Sequence, residues 1–542
     1  MGGPKASVFI SETQGVCAER LAVTTRPALN LQTPCRDNDD IEDLHRISAD
    51  SMSPTDHIPL SVLDHFCPPN YTAISWYIPL KDDVTAQNAF AALREGLRLT
   101  FQQLPWLSGK VYKKLPSAPG WRPGELEIRH SPADLEGDLP QFQCKQLDES
   151  ECPASYDEIK DCGFPMDTFA DEEVLWGTYI KVPEEDEGAA CFKAQANFIP
   201  GGVLLCGATH HNVCDGTSQF DVWRLWASNC DALQSNTTPE APDPLSSDRG
   251  LLERIWAAEG TTKDSTNGMK HVSWTLLDMD PPNSTPRPPA ITSISNERMQ
   301  SAVFYMSPDK FATLHKKCLQ ETGPTARISG NDALTAFIWR GLLKARRAAA
   351  LNAGRTQEAD LLNVEAKLQL TLDGRPDISR QGSMPLVYFG NLVFMNLCTM
   401  PLSALTAPDT SVATVALRIR QTAEAATSQA MLDSYALARD VEHLETLGLR
   451  LSPLRGYDMI LSSLIMFPVE GMRWGGGVFA REGEPDAIRP MWDAINGAAR
   501  LCFPLPRKSG AGLEFVVNLF GDEIDLLMED DEFSEFAVYL SS

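Results

Sequence analysis

The sequence predicts an α/β protein of two domains. The chain has 542 residues, which is more than one hydrophobic core usually serves. Short apolar runs alternate with segments of helical periodicity in both halves. Half of the residues of Asp280–Pro289 are proline, which cannot continue a helix or an inner strand. We therefore divide the chain into a domain over residues 1–275, a crossover linker over residues 276–299 and a second domain over residues 300–542.

The first half is predicted to contain four strands and two helices. Runs rich in β-branched, apolar or aromatic residues predict the strands Tyr71–Ile78, Leu175–Val182, Cys191–Ala196 and Val203–Ala208. Apolar residues at helical spacing predict the helices Ala86–Phe101 and Thr217–Trp226. Residues 115–160 are dense in Pro, Asp and Glu, which indicates surface loops with short strands. The first 45 residues or so form a polar lead-in, and the acidic tract Glu184–Glu187 is predicted to be a solvated turn.

The second half opens with a predicted strand, Gln300–Met306, followed by the helices Pro308–Gln320 and Asn331–Arg347. In the longer helix we expect Asn331 to be the N-cap and Trp339 to lie in the core. The shorter helix carries a small basic group, which is either a solvated face or a contact for an anionic ligand, formed by Lys310, Lys316 and Lys317.

The net charge of the chain argues against two classes of binding partner. The 73 acidic and 47 basic residues give a formal charge of -26, which repels phosphate backbones and anionic membranes. We therefore expect neither nucleic acid nor a membrane as the main partner. An anionic co-substrate would need basic residues gathered locally, because the overall field does not attract it.

The cysteines and the start of the chain bear on location. Thirteen cysteines are scattered without a CxxC pair or a metal-ligand spacing, as expected of reduced and mostly buried thiols. The first residues lack the pattern of a secretory signal, and no stretch has about 18 uninterrupted apolar residues. We expect a soluble, cytoplasmic monomer.

The most informative stretch links a strand to a helix. The run Val203–Ala208 follows a Pro-Gly-Gly turn and ends at His210 and His211, and Asp215 and Gly216 precede the next helix. A strand end suits a catalytic base, because the strand is rigid and the turn exposes the side chain. Neutral imidazole can take a proton from an alcohol or amine. By itself the spacing is not specific, and histidines at a strand end that only satisfy hydrogen bonds are the alternative.

The neighbouring residues make the motif more specific. Phe198–Gly202 followed by His210–Gly216 resembles the active-site signature of the BAHD acyltransferases, in the fungal branch that includes the trichothecene acetyltransferases. The doubled histidine is also similar to that of nonribosomal peptide condensation domains. Further segments resemble the fungal branch in the same order along the chain, namely Met52–His57, Asn70–Tyr71, Leu104–Val111, Ile328–Arg340, Tyr388–Asn391 and Glu514–Phe533.

The resemblance implies a fold and a reaction. The fold would be two chloramphenicol acetyltransferase-like domains, each a mixed β-sheet flanked by helices, with the active-site channel between them. His211 would be the general base of an acyl-CoA-dependent O-acyltransferase, predicted to be an acetyltransferase, acting on a small-molecule secondary metabolite in a ternary complex. Acyl-CoA would be the co-substrate, with no permanently bound cofactor and no metal.

The resemblance also implies roles for other residues. Asp215 would turn away from the channel and pair with an arginine, for which Arg327 and Arg340 are candidates. The residues assigned to the substrate are His210, Gly216 and Asn391. The residues assigned to coenzyme A are Lys316, Lys317 and Gly475.

One segment departs from the family pattern. Where the family has a second signature, Asp-Phe-Gly-Trp-Gly, this chain has Arg473-Trp474-Gly475-Gly476-Gly477. Three glycines indicate either a closely approached, mobile backbone or a tight turn. The change bears on coenzyme binding more than on proton transfer. The alternative function is therefore a condensation-like or cyclase-like enzyme of the same fold that uses a carrier-bound or non-CoA substrate.

Overall fold

A computed structural model describes most of the chain. The described residues are 55–131, 137–166, 187–258, 271–280, 297–378, 384–385, 387–450, 453–491, 493–507 and 510–542. Four sequence predictions fall wholly or mostly outside these ranges: the polar lead-in, the strand Leu175–Val182, the acidic tract before Glu187, and most of the linker.

Sixteen strands are formed by the described residues. In chain order they are β1 (Asp56–Pro59), β2 (Tyr71–Pro79), β3 (Lys110–Lys113), β4 (Leu126–His130), β5 (Phe142–Gln146), β6 (Ala189–Ala190), β7 (Phe192–Ile199), β8 (Gly202–His210), β9 (Gln300–Met306), β10 (Glu365–Asp373), β11 (Val393–Pro401), β12 (Met459–Leu461), β13 (Ala487–Met491), β14 (Leu501–Pro504), β15 (Leu513–Leu519) and β16 (Val538–Ser541).

Helices cover the sheets. In chain order the α-helices are α1 (Ala86–Gln103), α2 (Tyr156–Asp161), α3 (Gly216–Ser235), α4 (Leu251–Ala258), α5 (His271–Thr275), α6 (Pro308–Thr322), α7 (Gly330–Asn352), α8 (Glu358–Leu361), α9 (Arg375–Ile378), α10 (Leu402–Leu405), α11 (Val412–Ala425), α12 (Ser428–Arg439), α13 (Gly521–Met528) and α14 (Asp531–Ser534). Short 3-10 turns include Val62–His65 and Pro105–Ser108.

The two larger sheets are both mixed. One has five strands in the order β13-β2-β8-β7-β5, with only β5 and β7 parallel. The other has seven strands in the order β11-β10-β12-β14-β15-β9-β16, in which β12 runs parallel to both neighbours. A third sheet, β1-β4-β3-β6, is antiparallel. Mixed sheets flanked by helices confirm the predicted fold class.

A segment from the C-terminal half completes the five-stranded sheet. β13 pairs with β2 along the register Ala487 to Tyr77 through Met491 to Ala73. Just before it, Trp474 is fully buried, and its ring lies 5.1 Å from that of Trp226 and 6.0 Å from that of Trp223, both on α3. The first core is therefore built from both halves of the chain.

Within the described residues, the predicted strands and most helix bounds agree with the structure to within a few residues, but α3 and α7 extend beyond their predicted C-terminal ends and one helix start is wrong. The predicted N-cap Asn331 is wrong, because Ser329 caps α7. The Ser329 hydroxyl accepts a hydrogen bond from the Asp332 N–H at 3.1 Å, and Asp332 Oδ2 accepts one from the Ser329 N–H at 2.7 Å. This is a capping box. The Asn331 amide oxygen instead accepts a hydrogen bond from Ser463.

Two further observations concern location. No helix in the described parts of the chain is both long and apolar enough to cross a lipid bilayer. Ten cysteines of the described residues are free thiols.

Candidate active site

His211 directly follows the last residue of β8. The pairing of β2 with β8 places Tyr71 opposite His210, and the N–H of His211 then donates to the carbonyl of Asn70 at 2.7 Å. The turn that follows leads into α3 within five residues. The backbone of His211 is therefore held by the strand pairing, as the position after a strand end predicts.

A cavity of about 210 Å³ lies beside His211. Its wall includes residues from β2, from the turn before α3, and from β10, β11, β13 and β14, so it lies between the two larger sheets. Much of the wall is apolar, including Phe66, Ile74, Val393, Met395, Phe467 and Phe503. One part is polar and consists of Thr217, Thr371, Asp373, Ser462 and Ser463.

The surroundings of the His211 imidazole favour its neutral form. Burial lowers its pKa below the ordinary 6.5, although Asp215 opposes that shift. Nδ1 is fully buried and has no hydrogen-bond partner among the described residues. The ring is thus not held by an acid side chain, and Nε2 is the nitrogen left for a molecule in the cavity. A neutral ring with a free nitrogen is what a general base requires.

Asp215 holds the turn instead of touching the ring of His211. It is the N-cap of α3, since Oδ1 accepts the Ser218 N–H at 3.0 Å. Both carboxylate oxygens also accept hydrogen bonds from Arg375, each at 3.0 Å. Oδ2 accepts the Leu392 N–H at 2.7 Å. A single buried carboxylate therefore joins the turn to the C-terminal half.

The arginine that pairs with Asp215 was not among the candidates. Arg327 lies in a left-handed turn before α7, and Arg340 donates to Glu532 and to backbone carbonyls, so both sequence candidates are wrong. Arg375 also donates to the carbonyls of Tyr388 and Gly390 at 2.8 and 2.7 Å. It is the first residue of α9, two residues beyond β10, and only the tertiary fold brings it to Asp215.

Asp215 and Arg375 each stabilise the charged form of the other. Burial alone would raise the pKa of Asp215, but the Arg375 guanidinium and the Leu392 and Ser218 N–H groups lower it below its ordinary value. Burial would likewise lower the pKa of Arg375, and Asp215 and Asp373 raise it. Both groups are ionised at neutral pH.

His210 does not reach the cavity. Its side chain is fully buried, with its ring 5.3 Å from that of Tyr71 in an edge-to-face contact. Neither ring nitrogen has a partner among the described residues, and burial lowers its pKa to about 3. The geometry gives the predicted substrate contact no support.

The other two residues assigned to substrate differ from each other. Gly216 lines the cavity as the first residue of α3. Asn391 is fully buried. Its Nδ2 donates to Asp64 and to the carbonyl of His211, each at 2.9 Å, and its Oδ1 accepts from Cys67 at 3.2 Å. No donor of that amide remains for a substrate, and the predicted substrate contact of Asn391 therefore has no geometric support.

The residues assigned to coenzyme A lie elsewhere. Neither Lys316 nor Lys317 is among the residues that line the cavity, and Lys317 pairs with Glu535 at 2.7 Å on the surface. Gly475 has a φ of +101°, and a Cβ there would overlap the amide of Gln234, which lies on α3. The close approach that three glycines indicated is therefore to the protein itself. The described residues contain no group of three or more His, Cys, Asp or Glu arranged to hold a metal.

Sequence reasoning missed three residues around the site. Arg375 and Asp373 follow and end β10, where a strand end next to Asp-Gly-Arg was a usable signal. Asp64 lies in a Ser-Val-Leu-Asp turn whose spacing signals a capping box, and its side chain is fully buried. Nothing in the sequence connects these residues to His211, because they are far from it along the chain.

Solved structures share the fold. TRI101 of F. graminearum, complexed with coenzyme A and deoxynivalenol, matches with a TM-score of 0.70 at 19% identity, over 90% of this chain and all of that one. At this identity the match shows the fold alone, and it confirms the predicted two-domain chloramphenicol acetyltransferase-like architecture.

Relatives of known name fall into two kinds. The isocyanide synthase-NRPS hybrid crmA of Aspergillus fumigatus is 25% identical over 88% of this chain but 31% of its own length. The enoyl-CoA isomerase/hydratase claC of Penicillium crustosum is 27% identical over 89% of this chain and 51% of its own length. The chain thus spans about a third and about half of these two larger proteins. In contrast, it spans 98% of the eremophilane O-acetyltransferase ORF8 of Penicillium roqueforti, at 26% identity over 89% of this chain.

Sequence profiles of families cover both halves. A trichothecene 3-O-acetyltransferase-like N-terminal domain matches residues 70–230. The profile of the Transferase family matches residues 179–534, which is more than half of the chain and includes the His211 turn, Arg375 and β13. On this match, the chain belongs to the Transferase family of BAHD-type acyltransferases.

Proposed function

We propose that this protein transfers an acyl group, acetyl in the first instance, from acyl-CoA to a hydroxyl group of a small molecule of fungal secondary metabolism. The observation that carries the proposal is His211, whose partly buried, neutral ring lines the cavity between the two sheets while Asp215 and Arg375 hold the turn beside it. Relatives of matching length named as O-acetyltransferases support the acyl group and the acceptor.

The proposed acyl transfer needs a single general base. Nε2 of His211 takes the proton of the acceptor hydroxyl as its oxygen attacks the thioester carbonyl. A tetrahedral intermediate forms, the carbon–sulfur bond breaks, and the leaving thiolate takes the proton back from the imidazolium. The products are an ester and free coenzyme A, and no covalent acyl-enzyme is needed. Holding both substrates at one ring supplies much of the acceleration.

The cavity indicates what kind of acceptor binds. Its apolar wall fits a hydrocarbon scaffold, and its polar part, around Asp373 and Ser462, fits a second hydroxyl group that orients the molecule. Binding sites of this kind combine apolar contact with a few placed polar groups. We therefore propose an apolar acceptor that carries at least two oxygen functions.

Replacement of the base tests the proposal. His211→Ala should lower kcat by about 10²–10⁴-fold with acyl-CoA and a panel of hydroxylated metabolites, read by mass spectrometry of the products. The matched control is His57→Ala, because the His57 side chain is 53% exposed and pairs with Glu127 away from the cavity. Full activity of a folded His211→Ala protein would refute the proposal.

The pH dependence adds a second readout. The base acts only when neutral, so kcat/KM should be constant above the pKa of His211 and fall as the pH drops through it. Because burial lowers that pKa, the fall should lie below pH 6.5. An acid limb centred above 6.5 would assign the base to another group.

A carrier-bound thioester is the alternative to acyl-CoA as the acyl donor. The match to part of an isocyanide synthase-NRPS hybrid favours, as the second candidate, a thioester held on a carrier protein instead of coenzyme A. Isothermal titration of coenzyme A and acetyl-CoA separates the two donors. Saturable binding supports coenzyme A, and transfer only from carrier-bound thioesters supports the second candidate.

Compartment, oligomeric state and domain division remain predictions. Ten free thiols favour a reducing compartment such as the cytoplasm. Size-exclusion chromatography with light scattering tests the predicted monomer, and limited proteolysis tests the boundary at residues 276–299.

A further inference from the structure

A second buried ion pair lies behind the active site. Asp64, in the 3-10 turn Val62–His65, is fully buried. Its two carboxylate oxygens lie 3.3 and 3.4 Å from Nη1 of Arg249, whose side chain is 4% exposed. A buried ion pair is costly unless further hydrogen bonds satisfy it. Here the further bonds lead towards His211.

The carboxylate of Asp64 accepts two hydrogen bonds from Asn391. Its Oδ1 accepts the backbone N–H of Asn391 at 2.8 Å and the Nδ2 side-chain donor at 2.9 Å. The other hydrogen of Nδ2 goes to the carbonyl of His211 at 2.9 Å. The amide of Asn391 is therefore a bridge of one residue between a buried carboxylate and the peptide of the proposed base.

The same turn also holds the next residue. Asn212 donates from Nδ2 to the carbonyls of Asp64 and Cys67, both at 2.7 Å. Asp64 and Cys67 thus bind Asn212 directly, and Asp64 reaches the carbonyl of His211 through Asn391. Displacing Asp64 would loosen both contacts.

The support matters because, among the described residues, no acid side chain is hydrogen-bonded to the ring and holds it. Nδ1 of His211 has no partner among the described residues, so backbone position and packing set the direction of Nε2. The backbone has two anchors, the Asn70 carbonyl on the N–H side and Asn391 on the carbonyl side. We infer that Asp64, with Arg249 and Asn391, is a positioning device that fixes the catalytic direction of His211. The inference rests on the proposed function of His211.

Two carboxylates hold neighbouring peptides of one turn. Asp64 accepts the N–H of Asn391, and Asp215 accepts the N–H of Leu392. Both carboxylates come from the first half of the chain and the turn comes from the second. Asp64 thereby joins the two halves beside the base, in parallel with the Asp215–Arg375 pair.

Asp64→Asn tests the device with little change in shape. The new amide would direct a donor at the donors of Asn391 or Arg249 and would leave the buried guanidinium without its carboxylate. We expect kcat to fall by about 10²-fold, the scale of a misplacement near 1 Å. The KM for acyl-CoA and for the acceptor should stay within a few-fold, because Asp64 does not line the cavity.

The matched control is another buried ion pair. Glu523 and Arg500 are 3% and 5% exposed, and Nη2 of Arg500 donates to Oε1 of Glu523 at 2.9 Å. Glu523→Gln should lower the unfolding midpoint in urea without the loss in kcat. Equal losses of kcat in both variants would show a merely structural role for Asp64 and overturn the inference. If Asp64→Asn does not fold, Asn391→Ala removes the bridge to the His211 carbonyl and should give the same loss of kcat.

A readout that needs no turnover separates this inference from the proposed function. Histidines labelled with 13C at Cε1 can be titrated by NMR, and the His211 signal is assigned by its loss in His211→Ala. In Asp64→Asn the ring should leave its wild-type position, so its pKa should differ from that of the wild type, whereas Glu523→Gln should leave it unchanged. An unchanged His211 titration in Asp64→Asn would overturn the inference. Absence of acyl transfer by the wild type would refute the proposed function, and the titration would still decide on Asp64.

Discussion

At the scale of single residues, the charged side chains of the site hold the structure, and the proposed reactive side chain is neutral. Asp215 and Arg375 are charged and buried, and they hold each other through two hydrogen bonds. Breaking such a pair by removing one partner costs about 3–5 kcal/mol, which keeps the turn in place. His211 remains neutral and is not bonded to either of them. The base is thus oriented by its backbone and keeps Nε2 free.

Asp373 is expected to orient the acceptor. Its Oδ1 is occupied by Arg375, and its Oδ2 accepts Thr217 Oγ1 at 3.2 Å while the side chain remains 32% exposed at the cavity. A hydroxyl bonded to this charged oxygen contributes about 1.5–3 kcal/mol. Asp373→Asn should therefore raise the acceptor KM about tenfold or more and leave the KM of acyl-CoA unchanged, in steady-state kinetics.

The control for that variant is Asp522→Asn, which loses only the surface pair with Arg355. A fall in kcat with an unchanged acceptor KM would contradict the assignment and place Asp373 with the Asp215–Arg375 support.

At the scale of elements, the segment with the altered family signature packs on the end of α3. Gln234, near the C-terminal end of that helix, donates to the carbonyl of Trp474 at 3.0 Å and accepts the Val478 N–H at 3.1 Å. Arg473 pairs with Glu482 at 2.9 Å. The glycines allow the backbone to approach the helix, so this segment holds the C-terminal end of α3, whose N-cap is Asp215.

Gly475→Ala should be strongly destabilising. The residue has a φ of +101°, and a Cβ would overlap the hydrogen-bonded amide of Gln234. Gly354→Ala is the control, because its φ is +62° with nothing within 4 Å of the added Cβ. The control should lose about 1–2 kcal/mol from the left-handed backbone alone, and Gly475→Ala about 1–3 kcal/mol more from overpacking. Urea unfolding measures both, and equal losses would show that Gln234 gives way.

At the scale of the whole molecule, the two halves share a core and a site. β13 and Trp474 come from the second half and complete the first sheet and its tryptophan cluster. Arg375 and Asn391 come from the same half and hold the His211 turn. A site assembled in this way is present only when both halves are folded against each other.

Buried histidines should make the whole fold sensitive to acid. The pKa of His210 is about 3 when folded and 6.5 when unfolded, and those of His65 and His211 are also lowered by burial. The unfolded chain binds more protons, so stability is complete above pH 6.5 and falls as the pH drops below it, by about 1.4 kcal/mol per pH unit and per group.

Urea unfolding between pH 6.5 and 4.5 measures this slope, in a window that lies above the lowered pKa of Asp215. His210→Phe removes one titrating ring while keeping an aromatic contact with Tyr71, and it should flatten the slope by about one proton. A slope identical to that of the wild type would mean that His210 is protonated in the folded protein.

Much of this molecule was readable from local patterns. The apolar runs of β2 and β8, the amphipathic periods of α1, α3 and α7, and the turn that carries His211 and Asp215 are set by neighbours in the chain. Their bounds were predicted to within a few residues, apart from the C-terminal extensions of α3 and α7. Helix and strand formation depends on such near contacts, and the family motif fixed the order of the elements.

Only the tertiary structure decided which residues support the base. Arg375 binds Asp215 across 160 positions, and Asn391 binds Asp64 across 327 positions and His211 across 180. No local pattern encodes such pairs, because an arginine at a strand end or an aspartate in a capping box looks the same whatever lies opposite. Packing of the two halves buries these groups away from water. A buried charge is costly unless an opposite charge or hydrogen bonds compensate it, so the charged groups are paired.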